Sequence, residues 1–336
     1  MLYIRPVAMN DLNDLLELSI KAGKGMTSLP NDPEALGHKI QSSIDSFASS
    51  QPSDEDYFLL VMEDTNKQKV VGTAGVYART GARQAFYAYR VISMNHHSHN
   101  LDKQVHNDLL HLTNDYTGCS EVGTLFLDPD YRGNGHWLAK SRYLLMAQFP
   151  ERFAEHVIAE LRGYVNEAGK SPFWDAIGQH FFEMDFDEAD NLCGVGSNQF
   201  ITELMPKHPI YTKLLPQEAQ DVIGRPNIAG RRAMELLEEE GFEFDNVVDI
   251  FDAGPIMRGR INQLRSIRKM DQGLAAVSDE RMLSSKTMIA NSSLENFRVV
   301  YAQMIRTGSG LVKLSEESLN VLNVNPGTLL RYLPRV

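Results

Sequence analysis

Apolar and polar positions follow two periods along the chain, and each change of period marks an element. Val122 to Leu127 is an apolar run that reads as a strand, and Asp128-Pro129-Asp130 opens a turn. Arg132-Gly133-Asn134-Gly135 is a glycine-punctuated loop, after which Leu138, Leu145 and Met146 recur on a helix. Near the start, Leu2 to Val7 alternates as a short edge-type strand. Asn10 or Asp11 then caps a helix with the stripe Leu12, Leu15, Leu16, Leu18 and Ile20, and a second helix runs from about Asp32 to Phe47. Tyr57 to Glu63 and Lys69 to Tyr77 form a hairpin across a polar turn, and Phe86 to Met94 is a third strand. Beyond the glycine loop, His156 to Val165 reads as a strand and Ser171-Pro172 starts a helix that runs through Phe181. A strand, helix and strand follow at Phe200 to Met205, Ala229 to Glu240 and Phe242 to Phe251. After Gly254-Pro255 come a polar helix-prone stretch, Ile261 to Met270, and β-rich pieces at Thr287 to Ala290, Phe297 to Arg306 and Thr328 to Leu333. The expected fold class is α/β (α+β): a mixed sheet flanked by helices over 1–254, with an extra strand-helix-strand unit and a small β-rich C-terminal module over 255–336.

Strand, glycine loop and helix start together make an anion cradle. Amide groups left unpaired at a helix N-terminus carry about half a positive charge, and glycines let a phosphate approach the backbone. The flanks exclude two common uses of such a loop. The dinucleotide pattern G-x-G-x-x-G and the triphosphate pattern ending in G-K-[ST] are both absent. Charge narrows the partners further, because 33 basic against 44 acidic residues leave a net −11 that argues against nucleic acid. The two cysteines, Cys119 and Cys193, have no metal or disulfide spacing. His96, His97, His99, His106 and His111 cluster without the spacing of a metal site, and none is expected. The chain opens directly on a strand and has no apolar run of membrane-spanning length, so no membrane association and a cytoplasmic location are expected.

The motif D-P-D-Y-R-G-N-G-x-x-L (Asp128 to Leu138) resembles the acyl-CoA-binding motif of the GCN5-related N-acyltransferase superfamily. Trp137 stands where that motif usually has Gly or Ala, and Leu237 where many members carry a tyrosine acid. Further blocks narrow the likeness: T-S-L-P (Thr27 to Pro30), T-L-F-L-D-P (Thr124 to Pro129), A-E-L-R-G (Ala159 to Gly163), S-P-F-W (Ser171 to Trp174), E-L-M-P-K-H-P-I-Y (Glu203 to Tyr211) and D-I-F-D-A-G-P (Asp249 to Pro255). Together they resemble the arginine N-succinyltransferase family over roughly residues 1–270. The resemblance implies succinyl transfer from succinyl-CoA, a co-substrate rather than a permanently bound cofactor, to the α-amino group of L-arginine or a similar amine. It also implies a homo-oligomer or a pair of paralogous subunits. The rival readings are an N-acyltransferase with a different acceptor and a non-catalytic coenzyme A-binding partner subunit.

For the acyl-CoA, the resemblance places Leu125 on the family's succinyl-CoA-contacting leucine, with Leu127, Arg132, Gly133, Asn134, Gly135 and His136 completing strand and loop. It also places Asn227 where the family has a proton-donor histidine, and an amide cannot transfer a proton near neutral pH. Acid and base candidates from the chemistry are His208, Glu160, His136 and Tyr211. Glu203, Asp249 and Asp252 are candidates for pairing with a guanidinium, and Lys140 and Arg142 for reaching phosphates.

Overall fold

The computed structural model describes residues 1–23, 25–186, 188, 189, 192, 199–278 and 286–334, and Cys193 lies outside them. The chain packs as two compact units, the first made of 1–79, 120–155 and 260–336, the second of 80–119 and 156–259. Among the described residues no helix is long and apolar enough to cross a membrane.

The first unit contains β1 (Leu2–Pro6), β2 (Tyr57–Asp64), β3 (Lys69–Tyr77), β6 (Ser120–Leu127), β11 (Asp271–Val277), β12 (Lys286–Ala290), β13 (Val299–Gln303), β14 (Ile305–Arg306), β15 (Leu311–Leu314) and β16 (Leu329–Leu333). They lie in the order β14-β15-β11-β16-β12-β13-β1-β2-β3-β6. β1 is therefore an interior strand, with Tyr3 opposite Val300 on one side and Ile4 opposite Met62 on the other. The edge strand expected from its short alternation is corrected by strands nearly 300 residues away in sequence. Helices α1 (Leu12–Ala22) and α2 (Pro33–Ala48) cover part of this sheet, burying Leu15, Leu18, Leu36 and Ile40 against Tyr57 and Leu59. Pro33 and Asp32 start α2, Asp32 accepting from Ala35 N at 2.7 Å as its N-cap. Ile20, expected on the apolar stripe of α1, is 63% exposed. Helices α3 (Gly135–Gln148), α9 (Arg265–Lys269) and α10 (Glu316–Leu322) complete the unit.

The second unit contains β4 (Ala88–Ser98), β5 (Lys103–Thr113), β7 (His156–Glu160), β8 (Ile210–Tyr211), β9 (Glu243–Val248) and β10 (Pro255–Arg260), ordered β7-β10-β9-β4-β5-β8. Its helices are α4 (Pro172–Ala176), α5 (Gly178–Phe182), α6 (Gln199–Leu204), α7 (Gln217–Val222) and α8 (Arg231–Glu240). Trp174 organises the core, stacked on Phe182 and Phe251 with centroids 5.4 Å away in both cases. The expected helix from Ser171 to Phe181 breaks at Ile177, where Gly178 lies against the Trp174 ring. The strand expected at Phe200 to Met205 is helical, α6. A short apolar run does not distinguish the two.

Candidate active site

Asp128 begins the cradle at the end of β6. Its Oδ1 accepts from Asp130 N at 3.1 Å, while Oδ2 accepts from Lys21 Nζ of α1 at 2.5 Å. Pro129 to Tyr131 form a single 3₁₀ turn, held to the sheet by the Tyr131 hydroxyl donating to Asp64 Oδ2 at 2.8 Å. Asn134 closes the loop from inside. Its amide nitrogen donates to Tyr131 O at 2.9 Å, and its Oδ1 accepts from the Trp137 indole N–H at 3.1 Å. Trp137 is buried and stacked on Tyr301 at 5.8 Å, so the side chain that departs from the motif's small residue is built into helix-sheet packing. Gly133 has φ +96°, a left-handed conformation that favours glycine, and the backbone N–H groups of Gly133, Gly135 and His136 have no acceptor among the described residues. Arg132 and His136 are exposed, and His136 Nδ1 lies 3.0 Å from Gly133 O. The loop presents donors and no acidic side chain of its own.

Upstream, β6 carries a bulge. Gly123 pairs with Gly75 and Phe126 with Thr73, so Thr124 and Leu125 together face one residue of β3. Thr124 has φ +49°, and its Oγ1 meets the Tyr57 hydroxyl at 3.1 Å. Gly75 makes room for it, since a Cβ there would stand 2.9 Å from Thr124 Oγ1. Leu125, the second residue of the bulge, is 36% exposed, and Leu127 is half-buried.

The residue that sequence reading missed is Glu121, which faces Tyr77 across the ladder. Its carboxylate lies over Gly123, 3.4 Å from where a Cβ would be, and no donor reaches it among the described residues. Burial pushes the acid up to about 7, against the opposing charge of Lys39. Lys39 comes from α2 and donates to Ser28 O at 3.0 Å and to the Tyr77 hydroxyl at 3.1 Å, with the stacked Tyr57 and Tyr77 rings beside it. A carboxyl whose proton affinity burial raises toward the neutral range, on the strand of the expected thioester, is placed to take a proton. The only sequence signal was one acidic residue at the head of an apolar strand.

Arg142 was expected near phosphates, and the structure corrects this. It is 3% exposed, its Nε donating to Ala139 O at 3.0 Å and its Nη1 to Gly123 O at 3.4 Å under β6. Lys140 is half-buried on the same helix.

The remaining expected residues belong to the second unit. Asn227 is engaged in a turn: its N–H donates to Arg162 O at 2.8 Å and its Oδ1 accepts from Gly230 N at 2.6 Å. His208 and Glu203 are exposed, Glu160 is exposed at the end of β7, and Tyr211 is 43% exposed. Asp252 is 1% exposed, accepting from Gly254 N at 2.9 Å and lying 3.2 Å from Arg162 Nε. Asp249 accepts from the N–H groups of Phe251 at 2.7 Å and Asp252 at 2.9 Å. Burial first, and then the Asp252 charge, push Asp249 up to about 8. These two carboxyls accept from amides of their own loop, and Asp252 also meets Arg162. The histidines of the former polar segment sit on the β4–β5 hairpin, or in its turn, and His106 contacts Asp108 at 3.2 Å. No group of three metal-capable side chains occurs among the described residues.

Comparisons with known proteins agree over nearly the whole length. The family model described as arginine N-succinyltransferase beta subunit matches residues 2–266, and the model of that subunit's C-terminal domain matches 275–334. An arginine N-succinyltransferase of Escherichia coli (strain 55989 / EAEC) is 42% identical over 342 residues, covering 99% of this chain and 97% of its own. That of Enterobacter sp. (strain 638) is 41% identical over 340 residues, with the same coverage. The solved structure of arginine/ornithine succinyltransferase subunit AI from Pseudomonas aeruginosa superposes with a TM-score of 0.89 at 32% identity, covering 99% of this chain and 98% of that one.

Proposed function

The chain belongs to the family described as arginine N-succinyltransferase beta subunit, and from that membership we infer that it transfers succinyl from succinyl-CoA to the α-amino group of L-arginine. The observation that carries the reading is an open amide cradle at Gly133 to His136 that follows β6 in the chain, together with the buried carboxyl of Glu121 on β6 itself. The cradle amides take the coenzyme A pyrophosphate, whose charge the helix N-terminus favours. The bulge of β6, at Leu125, takes the thioester arm.

The substrate amine arrives as an ammonium and must lose a proton before it can attack. Glu121 accepts that proton, the amine nitrogen bonds to the thioester carbonyl carbon, and the carbonyl oxygen becomes an oxyanion that backbone N–H groups of β6 stabilise. Collapse re-forms the carbonyl and breaks the carbon-sulfur bond, coenzyme A leaves as a thiolate, and the second proton on the nitrogen passes to solvent as the amide forms. A thiolate is a moderate base, so its departure does not demand a strong acid, and Asn227 in place of an imidazole is compatible with turnover.

The test is release of free thiol from succinyl-CoA with L-arginine, with N-succinylarginine identified by mass. Release with other amines but not arginine would move the assignment to another acceptor. Coenzyme A binding with no thiol release from any amine would leave a partner subunit as the reading.

A further inference from the structure

Arg142 is a buried cation without a counter-anion among the described residues. Two other arginines of the first unit have counter-anions, Arg5 with Asp11 at 2.7 Å and Glu63 at 2.6 Å and Arg152 with Asp56 at 3.0 Å, whereas the less deeply buried Arg298 and Arg331 bond to Val321 O and Gln148 Oε1. Arg142 is as buried as Arg152, yet no carboxylate pairs with it among the described residues. The titratable neighbour that bears on it is the Tyr143 hydroxyl, not a carboxylate. Two backbone carbonyls occupy Nε and Nη1, and Nη2 has no acceptor among the described residues. A guanidinium carries five N–H donors in a planar fork, so most of its donor capacity is unused. An ionised group taken out of water without a partner is among the most costly things a fold can bury. Here burial depresses the guanidinium's own pKa.

Its position suggests what completes it. The carbonyl that Nη1 contacts belongs to Gly123, two residues before Leu125 on β6 and directly upstream of the Thr124 bulge. We propose that Arg142 is the receptor for the free carboxylate of the succinyl group, and so the residue that makes the enzyme choose a succinyl over an acetyl donor. The proposal rests on the succinyl-transfer reading and deepens it. A succinyl thioester differs from an acetyl thioester by one methylene and one carboxylate. The fork geometry of a guanidinium fits a carboxylate with two parallel hydrogen bonds, and the pair neutralises both buried charges. The acceptor's α-carboxylate has the same chemistry, and the experiment separates the two.

The experiment measures kcat/KM of the full-length chain and of Arg142→Met and Arg142→Lys, with succinyl-CoA and acetyl-CoA as donors and with L-arginine and L-argininamide as acceptors. Calorimetric binding of free coenzyme A reports whether each variant retains its fold. The expected result is a succinyl-to-acetyl preference that falls by about 10²-fold or more in Arg142→Met and less in Arg142→Lys, since a site built for a polar group strongly rejects the analogue lacking it. A preference within about threefold of the parent in Arg142→Met overturns the proposal. So does a loss that follows arginine against its amide instead of following the donor, which would assign Arg142 to the acceptor. If Arg142→Met does not fold, thermal shifts of the unaltered protein decide: succinyl-CoA should stabilise it more than acetyl-CoA, and equal shifts overturn the proposal. Should the unaltered protein release no thiol from any donor, the functional reading fails, and the thermal shifts still test Arg142.

Discussion

Lys21 Nζ of α1 and Asp128 Oδ2 lie 2.5 Å apart, tying the first helix to the residue that shapes the cradle. The Lys21 contact, ahead of the smaller opposing effect of burial, holds the Asp128 carboxyl below the usual carboxylate range. A depressed carboxyl contributes stability above its unfolded pKa of about 3.9 and loses it as the pH falls through the lower folded value. The pair is therefore intact across neutral pH, and Lys21 is 43% exposed, so solvent screening keeps its share of global stability small. Asp128→Asn and Lys21→Met should each weaken coenzyme A binding several-fold with little change in melting temperature at pH 7. Calorimetry beside a melting curve separates this outcome from general destabilisation.

Glu121→Gln removes the proposed base. General base catalysis is worth about 10² to 10⁴ in rate, so kcat should fall by that range while coenzyme A affinity is retained. In the parent enzyme kcat/KM should rise with pH through a pKa of about 7, and the variant should lose that limb. The stability sign is opposite to that of Asp128. A carboxyl raised in the folded state binds its proton more tightly there, so stability falls as the pH rises from the ordinary carboxylate range through about 7. Glu121→Gln should thus melt higher than the parent at pH 8 and no higher at pH 5. An unchanged rate profile would return the search for a base to the second unit.

Two glycine substitutions separate binding from folding. At Gly135 a Cβ would meet only Leu127 Cδ2, at 4.0 Å, so Gly135→Val should fold normally while crowding a phosphate at the open amides. Its coenzyme A affinity should drop by about tenfold or more. At Gly254 a Cβ would stand 2.1 Å from Leu161 O, so Gly254→Ala should fail through stability, with little soluble protein recovered. Normal coenzyme A binding by Gly135→Val would remove the cradle from the proposed mechanism.

What could be read from the sequence was local. The glycine loop, its Asp-Pro start and the helix after it follow from turn chemistry over a dozen residues, and all form where expected. β5 was not legible, because the outer half of its hairpin is exposed and carries His, Asn and Asp where a half-buried strand would alternate. Glu121 was passed over for a different reason. Its identity is ordinary, and its chemistry comes from burial in the folded sheet, opposed by the charge of Lys39, which is far away in sequence. Asp249 and Asp252 are the opposite case: they have the right type for a guanidinium site, and the bonds each makes to amides within five residues do not show in the sequence.

Asn227 holds a turn of the second unit. Its Oδ1 accepts the Gly230 N–H at 2.6 Å and its N–H donates to Arg162 O at 2.8 Å, so the side chain holds the turn that leads into α8. Such local side-chain to backbone bonds contribute about 1 kcal/mol. An amide cannot protonate a departing thiolate, and the thiolate can leave unaided. Asn227→Ala should therefore cost about that much stability and change kcat by less than tenfold, while Asn227→Asp, which keeps the acceptor oxygen, should restore the stability. Asn227→His introduces an imidazole and should raise kcat only if thiolate departure limits turnover, which a solvent isotope effect on the parent enzyme reports independently. A loss of 10² or more in kcat for Asn227→Ala at unchanged melting temperature would mean that the amide itself acts on the substrate, and the turn would then be incidental.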